Sequence, residues 1–218
     1  DRVAIIGLNS SRYFSIFMAC GLSGIVSTPL YSTCPPAEIN TLLADSQPRL
    51  FLIGVPELLS RIHELHYDGP MVSFCHEEIP ARATNTVMSW QDFLNLAENE
   101  TDLPVSNVSL GDPVSLHYTS GTTGQHKGVV YYHHHYRWLA ETLASMFPWY
   151  ERNRGGSYLS YLPMNHVVEG ILATYSPYYV PARLDLYFLE EFKDLQWALQ
   201  KVRPTIFFSV PRFFEKVR

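Results

Sequence analysis

Val114-Ser115-Leu116-His117-Tyr118 runs directly into Thr119-Ser120-Gly121-Thr122-Thr123-Gly124-Gln125-His126-Lys127-Gly128. The first five residues have the content of a buried strand, and a helix is expected from about Tyr132 to Phe147. Between them, Gly121, Gly124 and Gly128 let the backbone approach an anion closely, in conformations that a side chain would forbid. The hydroxyls of Thr119, Ser120, Thr122 and Thr123 can donate to phosphate oxygens, and Lys127 adds a mobile positive charge. A loop between a strand and a helix is where anion sites form in parallel α/β sheets. The triphosphatase pattern G-x-x-x-x-G-K-[ST] does not fit, because His126 stands five residues after Gly121 and Gly128 follows Lys127. A plain hydrophilic connection would not need ten ordered letters of this kind.

Outward from the loop, strands and helices alternate. Val3–Gly7 reads as a buried strand and Asn9-Ser10-Ser11 as a helix cap, with Phe14, Phe17, Met18 and Gly21 at helical spacing. Pro36 opens a helix to about Asp45; Leu50–Gly54 and Met71–Phe74 read as strands, with a helix from Pro56 to about Leu65 between them. Trp90–Ala97 is a helix capped by Ser89. In the last third, strands are expected near 158–161, 184–187 and 205–208, with helices around 167–175, 190–201 and after Pro211. This order implies layered, mostly parallel sheets flanked by helices, an α/β fold with approximate lobes 1–110 and 111–218.

Composition sets the outer limits. Sixteen basic against 21 acidic residues give a net charge of −5, which argues against nucleic acid as a partner but not against a locally bound nucleotide. Cys20, Cys34 and Cys75 form neither a C-x-x-C pair nor an even set, so a reducing, cytoplasmic setting is the simplest home. The uncharged stretch 13–37 is broken by Gly24, Pro29, Pro35 and Pro36; it reads as a buried helix turning into a buried strand, with no integral membrane span, although peripheral membrane contact stays open. Asn9, Asn99 and Asn107 open N-x-[ST] triplets, a short pattern that recurs by chance. His133-His134-His135 would point in diverging directions on a helix, so no metal ligands are assigned.

The decapeptide 119–128 is similar to the phosphate loop of the adenylate-forming (AMP-binding) superfamily, with one departure: His126 stands where the family usually has proline. Gly24–Tyr31 resembles the family's segment leading into an early P-L-x-P turn. Tyr161–Glu169 resembles the L-P-L-x-H-x-x-E segment of long-chain fatty acyl-CoA synthetases, and Arg203–Arg212 with Glu215-Lys216 resembles a P-T-x-F-x-x-V-P-R-x-x-E-K stretch of the same branch. The likeness covers essentially the whole chain.

What the resemblance implies is an AMP-forming ligase. It would join a fatty acid to AMP using ATP and Mg2+, then transfer the acyl group to coenzyme A. Thr119, Ser120, Thr122, Thr123 and Lys127 would bind the β- and γ-phosphates, with Gly121 and Gly124 shaping the cradle. His166 would border the acyl pocket beside the reacting carboxylate. For Glu169 the letters fit equally a solvated or a helix-dipole glutamate. The resemblance also implies that residues 1–218 are an internal piece of the large N-terminal domain. The Y-G-x-T-E segment with its magnesium-linked glutamate and the small lysine-bearing domain lie beyond residue 218, so the chain alone is expected not to complete the reaction. Two other readings remain open here: an enzyme activating amino or aryl acids, and a non-catalytic nucleotide-binding module.

Overall fold

The computed structural model describes residues 1–98, 107–120, 126–146, 155–166, 168–170 and 183–216. The chain divides into two compact units, Asp1–Leu8 with Arg12–His135, and Asn9–Ser11 with Tyr136–Arg218.

The first unit is built on a seven-stranded sheet in the order β5-β4-β3-β1-β2-β6-β7. Strands β1 (Arg2–Gly7), β2 (Val26–Leu30), β3 (Leu50–Gly54), β4 (Met71–Ser73), β5 (Val87–Met88) and β6 (Pro113–Ser120) run parallel. Val3–Ile6 at the centre is a continuous apolar run because helices cover both faces of such a sheet. Helix α1 (Ser11–Leu22) buries Tyr13, Ile16, Phe17 and Cys20, a stripe at three- and four-residue spacing. Helix α2 (Pro36–Ser46) starts with proline in its first turn and ends at Gln47 in the left-handed region, whose N–H caps Leu43 O. Shorter helices α3 (Pro56–Ser60) and α4 (Trp90–Asn95) follow, and Ser89 caps α4 by accepting from Asp92 N at 3.1 Å. Gly7 and Gly54 face each other across β1 and β3, and the Phe74 ring lies so close to both that a Cβ on either would collide with it.

One expectation is corrected. The loop does not lead into a helix but into β7 (His126–Tyr132), which pairs antiparallel with β6. Val129, Val130, Tyr131 and Tyr132 favour a pleated strand, and pairing with β6 satisfies their backbone groups. Helix α5 (His133–Ser145) begins only after this hairpin. Since β6 pairs on to β2 and β7 to β6, the first unit extends to His135 rather than stopping near residue 110.

In the second unit β8 (Gly156–Ser160) pairs parallel with β9 (Leu184–Phe188), and Tyr158 bridges to Ile206. Strand alternation sends Leu159 and Tyr161 to one face, where they meet Leu195 and Ala198 of α6 (Leu195–Val202). Phe207 and Phe213, the latter on α7 (Pro211–Lys216), complete that cluster, and the Tyr161 and Phe207 rings stack at 5.3 Å. Tyr158 faces the other way, toward Leu184, Leu186, Ile206 and Phe208.

Candidate active site

The hairpin register decides what meets at the mouth of the loop. Thr119 on β6 is directly opposite Lys127 on β7, and Ser120 is opposite His126. Residues directly opposite in an antiparallel pair project to the same face with Cβ atoms about 5 Å apart. Thr119 and Lys127, both exposed, therefore offer a hydroxyl and an ammonium side by side where the loop leaves and rejoins the sheet. Gly128 follows opposite Tyr118, and a Cβ there would come within 2.8 Å of Leu116 Cδ1. Gly121, Thr122, Thr123 and Gly124 lie outside the described residues, as does the side chain of Ser120.

His166 belongs to the second unit. Its N–H donates to Pro163 O at 2.9 Å, closing a turn after β8, and Gly170 N donates back to His166 O at 2.9 Å. The ring is exposed, and its Nδ1 accepts from Val168 N at 3.3 Å, so in a neutral ring the proton sits on Nε2. The carboxamide of Asn9 clamps this turn from within the unit. Asn9 Nδ2 donates to Leu162 O at 2.7 Å and to Ser160 Oγ at 3.1 Å, while Met164 N donates to Asn9 Oδ1 at 3.2 Å. Asn9 was legible only as a cap or a glycosylation triplet; it is buried and fully engaged, which removes it as a glycan acceptor.

Glu169 is neither solvated nor a surface helix-dipole residue. It is fully buried, and Tyr158 Oη donates to its Oε2 at 2.8 Å. Burial lifts the carboxyl to about 7, against the opposing influence of the Ser160 and Tyr158 hydroxyls. Among the described residues Oε1 meets no partner at hydrogen-bond geometry. This carboxyl, three residues after His166, is thus poised between charge states near neutral pH.

A family match to the AMP-binding enzymes spans residues 1–218. The chain belongs to the AMP-binding enzyme family. Among its relatives, the long-chain-fatty-acid–CoA ligase ACSBG2 of Homo sapiens is 25% identical over 222 residues, which cover 99% of this chain and 33% of the ligase. Long chain acyl-CoA synthetase 3 of Arabidopsis thaliana is 28% identical over 229 residues, covering 100% of this chain and 34% of the synthetase. The chain thus spans about a third of the length of the curated relatives it matches. Its fold is also that of the N-terminal domain of FACL13 from Mycobacterium tuberculosis, with a TM-score of 0.72 at 22% identity, covering 100% of this chain and 52% of that one. The o-succinylbenzoate CoA synthetase of Bacillus subtilis, solved with its acyl-adenylate, superposes with a TM-score of 0.68 at 17% identity, covering 100% of this chain and 51% of that one.

Two further features of this AMP-binding chain bear on ligands. A mainly apolar cavity of about 780 Å³ opens in the second unit, lined by residues that include Tyr161, Leu162, Phe192, Leu195, Leu199 and Phe213, with Lys193, Gln196 and Ser209 as its polar members; Leu162 lies just ahead of the turn that carries His166. At the start of α5, His134 Nδ1 lies 2.9 Å from Leu110 O, and His135 Nδ1 accepts from Tyr132 N at 3.2 Å. Those two histidines serve the local fold. Among the described residues no group of three His, Cys, Asp or Glu side chains could hold a metal, and no helix is long and apolar enough to cross a membrane.

Proposed function

We propose that this chain is part of an AMP-forming ligase that activates a long-chain fatty acid and passes the acyl group to coenzyme A. The observation that carries the reading is the phosphate-loop sequence 119–128 mounted on a hairpin whose register sets Thr119 beside Lys127, in a chain matched to the AMP-binding enzymes from end to end. In the first step a carboxylate oxygen attacks the α-phosphorus of ATP and the bond to pyrophosphate breaks. In the second, the thiol of coenzyme A attacks the acyl carbon, and AMP leaves as the thioester forms. Both steps gather negative charge on phosphate oxygens, so fixed donors and cations give the main assistance. Lys127 and the hydroxyls of Thr119, Ser120, Thr122 and Thr123 are assigned to the departing phosphates, with Gly121 and Gly124 shaping the cradle.

His166 is assigned to the reacting carboxylate, with Nε2–H as its donor. The mainly apolar cavity beside its turn, for all that Lys193, Gln196 and Ser209 also line it, supports a long acyl chain. Magnesium, when bound, would neutralise part of the phosphate charge; among the described residues no group of three His, Cys, Asp or Glu side chains offers it a ligand set. The test is ATP–pyrophosphate exchange by the intact protein with a series of fatty, aryl and amino acids. Exchange confined to fatty acids of long chain supports the proposal, and exchange driven by amino or short aryl acids contradicts it.

A further inference from the structure

The hairpin that carries the loop is gripped by α2 at two points. Glu38 lies in the first turn of that helix and Asp45 near its end, seven residues or about two turns apart, so both project from the same face. Tyr118 Oη donates to Asp45 Oδ2. His126 Nε2 lies 3.3 Å from Glu38 Oε1, with both side chains about two-thirds buried. Tyr118 and His126 share a face of the hairpin, because Tyr118 is opposite Gly128 and His126 is opposite Ser120. Of the two attachments, the one at His126 is on the closing pair of the loop itself.

We infer that the His126–Glu38 pair is an electrostatic latch that fixes the returning end of the phosphate loop, and that His126 and Glu38 are positioning residues for nucleotide binding. The inference rests on reading 119–128 as the phosphate loop. A proline at position 126 would hold the backbone through its ring, with φ fixed near −65° in any charge state. The histidine holds it through a partner 88 residues earlier, and only a protonated imidazole makes that partner an ion pair. Cys34, in the turn before α2, also interacts with Glu38, whereas Lys127, the next residue of β7, projects to the other face of the hairpin. The Cys34 thiol is pushed up to about 12, first by burial and then by Glu38, so it carries no charge near neutral pH.

The test uses the intact protein, with ATP as the probe and His126→Ala, Glu38→Gln, the double variant and His126→Pro as the series. Partly exposed ion pairs contribute up to about fivefold in an equilibrium constant. Each single variant is expected to weaken ATP binding two- to fivefold at pH 6, and the double variant no more than either single. His126→Pro should restore the affinity and remove its dependence on pH. Wild type should lose the same factor between pH 6 and 8.5, whereas Glu38→Gln should be level. Additive single effects, or a wild-type pH dependence that survives in Glu38→Gln, would overturn the latch. Lys127→Ala separates the two readings: if it abolishes ATP binding while the latch variants change nothing, the latch alone fails. Amide hydrogen exchange at Thr119, Ser120, His126 and Lys127 tests the latch without nucleotide. Exchange is expected to quicken severalfold in Glu38→Gln at pH 6, and an unchanged rate contradicts the inference.

Discussion

Strand β1 is paired parallel on both sides, and β8 is paired parallel with β9 and bridged at Tyr158 on its other side; both are largely buried, yet they are made of different material. In β1 the buried residues Val3, Ala4, Ile5 and Ile6 are all aliphatic, so the strand is held by pairing and by removal of apolar surface from water. In β8, Tyr158 and Ser160 face a buried carboxyl and a buried carboxamide, Glu169 and Asn9. A buried carboxyl, one of whose oxygens meets no partner among the described residues, costs free energy to keep charged. The difference teaches that the first unit is built for stability around its sheet, whereas the second tolerates a polar core where the His166 turn is anchored.

The comparison breaks most visibly at Phe51, fully buried in β3 and edge-on to Tyr67 with ring centroids 6.0 Å apart. Phe51→Ala should cost the first unit about 3–5 kcal/mol. Urea titration read by cysteine labelling suits that unit, since Cys20, Cys34 and Cys75 all lie in it and burial pushes their thiols up to about 12, 12 and 11. A loss below about 1.5 kcal/mol would mean that the aliphatic core is not what holds β3 in place.

Glu169 supplies the next largest effect. Its carboxyl is raised from 4.5 to about 7, so the folded state binds a proton that the unfolded chain has already released. The stability this gives is full below about pH 4.5 and is lost as pH rises through 7, amounting to about 3 kcal/mol at 1.36 kcal/mol per unit. Glu169→Gln keeps an acceptor for Tyr158 and carries no charge. It should match wild type near pH 4.5 and exceed it by about 3 kcal/mol at pH 8, read by denaturation of the second unit. Parallel pH profiles for the two proteins would show that the carboxyl does not titrate in place.

Asn9→Ala removes a donor and acceptor pair serving Leu162, Ser160 and Met164, and should cost about 2 kcal/mol. It should also raise KM for the carboxylic acid more than for ATP, because the turn it holds carries His166. Equal changes in both constants would deny Asn9 that local role.

How legible these regions were follows from the same contrast. The runs Val3–Gly7 and Leu50–Gly54, the proline opening α2 and the Ser89 cap each carry a local signal, and all appear where the letters place them. The uncharged stretch 13–37 is indeed a helix turning into a strand, α1 and β2. Strand β7 was missed because a Gly-rich loop after a parallel strand suggests a helix, and the pairing that overrides this lies across the loop on β6. Helix 167–175 is described only at Val168–Gly170, and the strand expected at 205–208 reduces to one bridge at Ile206. Asn9 looked like a cap because its partners lie more than 150 residues away. Glu169 showed no sign of burial, since its environment depends on how β8 packs. Of the candidate site, Thr119, Lys127 and His166 were named from local motifs; the clamp, the buried carboxyl and the Glu38 partner of His126 were not, because each is a long-range fact.

The most direct measurement on the central claim is ATP–pyrophosphate exchange by intact wild-type and Lys127→Ala protein with a long-chain fatty acid, alongside thermal unfolding of both. The account predicts a loss of about a hundredfold or more in exchange with an unchanged midpoint, since an exposed strand lysine contributes charge to the phosphates and little to the fold. Equal exchange rates in the two proteins would contradict it.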